Sequence, residues 1–478
     1  MSQFNNLVAG EWIGAASYMA NINPSNTNEI VGEYAQANNA DVDAAIEAAS
    51  AAFFTWSRAG IQQRSDSLDA IGSEVLSRKE ELGRLLAREE GKSLPESIGE
   101  VTRAGHIFKF FGGEVLRQVG DHIASVRPGI EIDVTREPIG VVAIITPWNF
   151  PIAIPAWKIA PALAFGNCVV FKPANLVTGC AWALAEIIHR HLPPGVFNLV
   201  MGSGSVVGNQ LLEDSRVRGV SFTGSVATGS TVAATCSRRG AKFQLEMGGK
   251  NPLIVLDDAD LNTAVACAIN GAYYSTGQRC TASSRLIVQS GIHDAFVEAV
   301  VSRLKTLRID DPLKEDTDIG PVVDQSQLDQ DLDYLRIGRE EGAELIHGGE
   351  LIERDNPGYF LSPALFVGTK NEMRVNREEI FGPVATVIKA GDFEEALAIA
   401  NDTEFGLSAG ICTKSLGSAS KFKRESQAGM VMVNLPTAGV DYHVPFGGTK
   451  GSSFGSREQG SYAAEFYTTV KTAYTLPQ

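Results

Sequence analysis

The sequence predicts an α/β protein carrying two parallel-sheet domains of the Rossmann type and a smaller β part. Three observations predict it. From Val141 onward, short β-branched runs alternate with Ala-rich helical stretches. That rhythm restarts after Pro252. Residues 120–137, rich in Val, Ile and Thr, read as strands that fit neither sheet.

Taken in order, residues 5–37 read as short strands and turns, as in Leu7-Val-Ala-Gly-Glu-Trp12 and Asn23-Pro-Ser-Asn26. Ala40 to Trp56 spaces its apolar residues as a helix does, with Asn39 or Asp41 as the cap. Gln62 to Glu90 continues as one long amphipathic helix, stopped by Gly91. Val101 to Val119 gives a third helix, whose Phe108, Phe110 and Phe111 suit a core or a pocket wall. Strands follow at Val141–Ile145, Cys168–Phe171, Val196–Val200 and Gly219–Phe222, with helices such as Thr178–His191 and Ser205–Asp214 between them. The second unit has a strand at Leu253–Leu256, a helix from Leu261, a strand at Arg285–Val288 and a helix from Ile292. The tail closes on a strand-like Tyr467–Lys471.

A chain of 478 residues holds two or three domains, and 44% hydrophobic with 20% charged content is ordinary for a globular enzyme. A net charge of −15 argues against nucleic acid or an anionic membrane as partner, since both require a basic face. The six cysteines form no CxxC pair and the seven histidines no ligand triad, so no metal is expected. Unpatterned cysteines and a start without a secretion signal lead us to expect a reduced, cytoplasmic protein. The apolar stretch Ile139 to Phe171 is cut by prolines and by Lys158, so no membrane span is expected.

The chemistry centres on Tyr273-Tyr-Ser-Thr-Gly-Gln-Arg-Cys-Thr-Ala-Ser-Ser284. A cysteine sulfur attacks carbon as thiolate, and Arg279 stands directly before Cys280 while small residues follow it. Gly202-Ser-Gly204-Ser-Val-Val-Gly208 follows a strand and opens a helix, which suits a phosphate, although its spacing is one residue longer than the usual dinucleotide fingerprint. Phe222-Thr-Gly-Ser225 makes a second such turn on the next strand. Lys172, in Phe171-Lys-Pro-Ala-Asn175, is either a ribose donor or a solvated strand-end lysine. Thr146-Pro-Trp-Asn-Phe-Pro151 is a stiff loop able to hold the Asn149 amide as an oxyanion donor. Glu246, before the Gly248-Gly249 turn, is a base if desolvation raises its pKa. Glu379 with Phe381 offers an acceptor and a flat ring, and Pro445-Phe-Gly-Gly-Thr-Lys450 a glycine turn near the cleft.

Together, TPWNFP, FKPA, FTGS, LEMGGKNP, GQRC, EEIFGPV and PFGG occur in the order and rough spacing of one family. The chain resembles the NAD(P)-dependent aldehyde dehydrogenase superfamily over essentially its whole length. The resemblance implies Cys280 as nucleophile, Asn149 with the Cys280 amide as oxyanion donors, Glu246 as the base that activates water, and Lys172 beside them. It implies a cofactor, NAD or NADP, held by Thr146, Pro147, Trp148, Lys172, Ala174, Asn175, Gly204, Gly208, Phe222, Thr223, Gly224, Ser225, Met247, Glu379 and Phe381. The aldehyde pocket would comprise Asn149, Phe150, Trp157, Tyr274, Arg279, Thr437 and Phe446. The implied domains are residues 1–119 with 139–247 for the cofactor, 248–447 for catalysis, and 120–138 with 448–478 as an oligomerisation hairpin and tail, hence a homodimer or homotetramer.

Departures from the family pattern shape the substrate expectation. Asn175 stands where many NAD-preferring members have Glu, which leaves NADP open. The succinate-semialdehyde branch often has an arginine where this chain has Trp157, so Arg279 becomes the expected anchor for a substrate carboxylate, or else a group that lowers the thiol pKa. The ending Val433 to Gly447 with Gly451 to Arg457 is similar to the α-ketoglutaric semialdehyde branch, which implies an aldehyde with a terminal carboxylate. A CoA-acylating enzyme and a non-catalytic binding protein are the rivals; the presence of Glu246, Cys280 and Asn149 disfavours both.

Overall fold

The structure, a computed structural model, describes residues 3–478. Two open parallel sheets dominate it. The first orders its strands Ser453–Phe454, Lys242–Glu246, Val217–Thr223, Val141–Ile145, Cys168–Lys172, Phe197–Leu199, Asn6–Val8 and Glu11–Ile13. The five central strands are parallel, and antiparallel strands close both edges. Val141–Ile145 has its sequence successor on one side and Val217–Thr223 on the other, so the chain reverses its direction of travel there. Open α/β sheets bind ligands in the crevice at such a point.

The second sheet runs Glu344–His347, Ala364–Thr369, Val384–Ala390, Arg285–Gln289, Pro252–Val255, Ser408–Cys412 and Met430–Val433, parallel except at its first edge. Buried Val, Ile and Leu fill the central strands of both sheets, as expected when helices cover both faces. The remaining β part pairs Asp121–Ala124 and Thr468–Thr475 on either side of Glu131–Pro138. Only the last strand of the tail joins this unit. Before it, Thr449–Lys450 pairs with Phe405–Gly406 and Ser453–Phe454 with Leu245–Glu246, so the tail stitches the two lobes together before it leaves them. A three-stranded sheet of Gln3–Phe4, Asn26–Ala35 and Tyr18–Asn23 completes the N-terminal region.

Local chemistry accounts for most element ends. Asn38, one residue before the expected cap, accepts from the Ala40 and Asp41 amides, and the Asp41 carboxylate accepts from the Asn38 amide to complete a capping box. The expected helix from Gln62 to Glu90 is two helices, Ile61–Ser77 and Lys79–Glu90, broken at Arg78 (φ −102°, ψ 14°). Gly91 does end the second, at φ +94°. The third helix starts earlier than expected, at Leu94, with a proline in its first turn, and ends at Val115. Lys242–Glu246 is a strand that the sequence reading did not contain. No helix among the described residues is long and apolar enough to cross a membrane.

Candidate active site

Five sequence motifs leave the carboxyl ends of the five central parallel strands of the first sheet. The loop with Asn149 follows Val141–Ile145, and Lys172 ends Cys168–Lys172. The glycine turn at Gly204 follows Phe197–Leu199, Ser225 follows Val217–Thr223, and Glu246 ends Lys242–Glu246. Parallel pairing thus brings residues distant in sequence to one edge of one sheet.

A cleft of about 600 Å³ opens there, walled by Thr146 to Trp148, Lys172, Ala174, the Gly204 and Gly208 turn, and Phe222 to Ser225. The extra residue in the glycine motif is absorbed by a π-turn over Gly204–Gly208, capped by Ser203 through the Val206 amide. Neither Gly204 nor Gly208 has a heavy atom within 4 Å of where a Cβ would stand, so a ligand can approach the backbone closely. Ser225 caps the Val226–Arg239 helix. The buried Thr223 hydroxyl has no partner, and the Lys172 ammonium has one, the Pro173 carbonyl at 2.9 Å. Burial pulls the Lys172 pKa down to about 8. Glycine backbone at a helix start, spare donors and one cation fit a dinucleotide's pyrophosphate and ribose.

Four expected cofactor residues lie outside this cleft wall. Met247 packs into the first core with its sulfur against Gly229. Asn175 opens a short 3₁₀ turn with its side-chain oxygen buried and unpartnered. Glu379 turns inward and accepts from the Gly249 amide at 2.8 Å, while burial raises its pKa to about 7. Phe381 meets Trp148 edge to face, ring centroids 5.4 Å apart, at the mouth between the lobes.

The loop whose Trp148 walls that cleft puts its Phe150 on the wall of a second cavity, of about 390 Å³, and Cys280 is on the same wall. Its loop is strained. Ser275, Thr276 and Gly277 are successive left-handed residues at φ 51°, 57° and 68°, a conformation that costs a side-chain-bearing residue about 1–2 kcal/mol. Glu96 holds the turn by accepting from the Ser275 hydroxyl at 2.9 Å and from its amide at 3.3 Å, and the Thr276 hydroxyl donates to the Gly320 carbonyl at 3.2 Å. Asn251, unremarked in the sequence reading, donates to the Cys280 carbonyl at 2.8 Å and to the Ala282 carbonyl at 2.9 Å. The Asn149 amide donates to the Gln278 carbonyl at 2.9 Å, which sets it beside the cysteine turn. Behind it, the buried Lys92 donates to the Asn149 carbonyl at 2.8 Å and pairs with Glu100 at 2.7 Å.

Arg279 lies on the cavity wall and is engaged by other residues there. Its guanidinium pairs with Glu96 and donates to the Ser275 hydroxyl at 3.0 Å and the Asn270 carbonyl at 3.3 Å, so its charge is already met. The thiol beside it is raised, not lowered. Burial and the nearby Glu246 and Glu379 carboxylates push the Cys280 pKa up to about 12. Glu246 is itself buried and raised well above the usual carboxylate range, and it accepts from the Ser453 hydroxyl at 2.6 Å.

Phe150, Trp157 and Phe446 line the cavity as expected, with Trp157 and Phe446 ring centroids 5.2 Å apart. Arg279 lines it too, whereas Asn149, Thr437 and Tyr274 do not. Thr437 is fully buried and donates to the Thr281 carbonyl at 2.7 Å, leaving its neighbours Pro436 and Ala438 on the wall. Tyr274 packs against the core of the second lobe, and Ser275 takes its place. The sequence reading missed Lys92, Glu96, Glu100 and Arg103, all on or just before the Leu94–Val115 helix, whose buried flank walls the cavity.

A cysteine at the junction of two parallel-sheet lobes, with a buried carboxylate on one side and a dinucleotide-shaped cleft on the other, defines a class that sequence comparison also reaches. Residues 12–473 match the aldehyde dehydrogenase family, and the chain belongs to it. It is 46% identical over 477 residues to an alpha-ketoglutaric semialdehyde dehydrogenase of Bacillus subtilis, covering 99% of this chain and 98% of that one. It is 40% identical over 472 residues to a 2,5-dioxopentanoate dehydrogenase of Saccharolobus solfataricus, covering 98% of each. Among solved structures, an NAD-dependent aldehyde dehydrogenase from Sinorhizobium meliloti superposes with a TM-score of 0.97 at 36% identity, covering 100% of this chain and 95% of that one. Betaine aldehyde dehydrogenase from Staphylococcus aureus, in complex with NAD+, gives a TM-score of 0.96 at 34% identity, covering 99% of this chain and 95% of the other.

Proposed function

We propose that this aldehyde dehydrogenase oxidises a short semialdehyde with a carboxylate at its far end, namely α-ketoglutaric semialdehyde (2,5-dioxopentanoate) to 2-oxoglutarate, with NAD or NADP as acceptor. The observation that carries the reading is the charge of the cavity at Cys280. Its wall bears three cations, Lys92, Arg103 and Arg279, against two carboxylates, Glu96 and Glu100. A volume of about 390 Å³ has room for a five-carbon substrate. The relatives named for this semialdehyde span the whole chain and support the same substrate.

In this reading, the Cys280 thiol gives up its proton to solvent water as the sulfur bonds to the aldehyde carbon, the C=O π bond opens, and the carbonyl oxygen takes the negative charge. The Asn149 side-chain amide, released from the Gln278 carbonyl, and the Cys280 backbone amide donate to that oxygen. The cofactor would lie in the cleft of Lys172, Gly204, Gly208 and Ser225, and its nicotinamide supplies the hydride acceptor. Once the sulfur-bound carbon reaches the acid oxidation level, Glu246 takes a proton from water, whose oxygen displaces the Cys280 sulfur. Raised by burial, Glu246 is a strong enough base for that step when ionised. A base in this place supports hydrolysis over transfer to CoA.

The separate three-stranded β unit exposes Ile123, Val470 and Tyr474, and we assign it to contact between copies in a homodimer or homotetramer.

Purified protein assayed for NADH and NADPH formation tests the substrate reading. With 2,5-dioxopentanoate or succinic semialdehyde, kcat/KM is expected to exceed that for propanal by about tenfold or more. A better propanal substrate, or turnover that requires CoA, refutes it.

A further inference from the structure

Among the described residues, one cation in the Cys280 cavity has no counter-ion within hydrogen-bonding distance. Lys92 is paired with Glu100 and Arg279 with Glu96. Arg103, on the Leu94–Val115 helix, makes a single side-chain hydrogen bond, from Nη2 to the neutral Gln459 amide oxygen at 3.1 Å. Glu100 and Asp441 lie within electrostatic reach, but neither bonds to it. Its Nε–H is buried and has no acceptor. On the same wall, the Trp157 indole Nε1–H is also buried without an acceptor, and the Arg103 guanidinium carbon sits 5.6 Å from the Trp157 ring centroid. A buried N–H left without an acceptor is costly, and two of them around a guanidinium in one cavity ask for a ligand that brings oxygens and negative charge.

We infer that Arg103, with the Trp157 indole N–H, receives the substrate's distal carboxylate, and that Arg279 does not. This rests on the semialdehyde reading above and names the group that enforces it. A carboxylate supplies an oxygen for each orphaned donor and neutralises the spare charge at once. At Arg279 it would have to displace Glu96, which also holds the strained turn before Cys280. Gln459, itself buried, braces the guanidinium from behind without spending its charge. Trp157 then answers for the absence of an arginine at its own position: the cation comes from the neighbouring helix instead.

The experiment compares Arg103→Met, which keeps the stem that packs on Trp157, Arg103→Lys and Arg279→Met. Each is assayed with succinic semialdehyde and with butanal, which has the same four-carbon length without the carboxylate. For Arg103→Met, the ratio of kcat/KM between succinic semialdehyde and butanal is expected to fall about 10- to 100-fold, mostly through KM. Arg103→Lys should recover part of the loss, because the charge remains and the fork does not. Arg279→Met should lower both substrates together. An unchanged ratio in Arg103→Met, or a selective loss in Arg279→Met, overturns the assignment. Glutarate titrated calorimetrically into the Cys280→Ser protein gives a second reading, independent of turnover: binding should weaken about tenfold or more when Arg103→Met is added. If the wild type prefers butanal yet still binds glutarate through Arg103, the substrate reading fails and the anion site stands. If glutarate binds equally without Arg103, the anion site fails whatever the substrate is.

Discussion

At the scale of single residues, the resting site is closed against its own chemistry. Burial, and after it the Glu246 and Glu379 carboxylates, bias Cys280 toward the thiol, and Asn149 is engaged on the Gln278 carbonyl. The direction of the Glu246 shift sets the pH behaviour. A raised pKa delays ionisation to a higher pH than an ordinary carboxyl needs, and the base works only when ionised, so turnover should climb as the pH rises above the usual carboxylate range, read from a kcat–pH profile. Glu246→Gln should slow hydrolysis about 100-fold or more and leave a burst of one reduced cofactor per site, visible in stopped-flow absorbance. The same variant removes a negative charge near the sulfur, so iodoacetamide should alkylate Cys280 faster at pH 9. Slower alkylation would mean that Glu246 also takes the thiol proton.

At the scale of elements, the turn before Cys280 is the costly one. A Cβ at Gly277 would stand 2.2 Å from the Gly382 carbonyl oxygen, at a φ of +68°. Gly277→Ala should therefore cost more than the ~1–2 kcal/mol of its left-handed backbone and lower turnover at least tenfold, measured by thermal unfolding and steady-state assay. Much at this scale was legible. The β-branched runs at Val141–Ile145 and Cys168–Lys172 are buried central strands, and pattern alone marks such runs. Lys242–Glu246 escaped notice because it begins with an exposed lysine and carries Gln244, whose amide is bonded inside the protein to Ser221 at 2.9 Å. The break at Arg78 was hidden because neither glycine nor proline marks it and the apolar spacing continues across. The engagement of Arg279 was hidden for a different reason. Adjacency to Cys280 is visible in sequence, whereas the pairing with Glu96, from a distant helix, exists only after folding.

At the scale of the whole molecule, two lobes meet near Cys280 and a third β unit stands apart. A chain truncated after Thr468 loses the partner of Glu131–Pro138 but keeps the Tyr467 carbonyl that the buried Asn167 amide needs at 2.9 Å. Its mass by light scattering should drop below that of the full chain, and an unchanged mass would place the contact between copies elsewhere. The family's motifs made the lobes and the cysteine legible from the start. The cavity's lining was not, because the helix that supplies Glu96, Glu100 and Arg103 belongs to the first lobe and serves the substrate of the second.

The late return of the chain to the first lobe has a consequence for how the protein is made. Lys158 is wholly inside that lobe, and its counter-ion, Glu458, lies 300 residues further along the chain, with the core residues Ala463, Phe466 and Tyr467 later still. The short strand Ser453–Phe454 that closes the sheet's edge arrives at the same late moment. Until then a nascent chain holds a cation with no counter-charge and an open ladder of peptide groups, both of which invite wrong partners. The first lobe to be synthesised is thus among the last to be finished, and the growing polypeptide depends on chaperones, or on speed, to cross that interval.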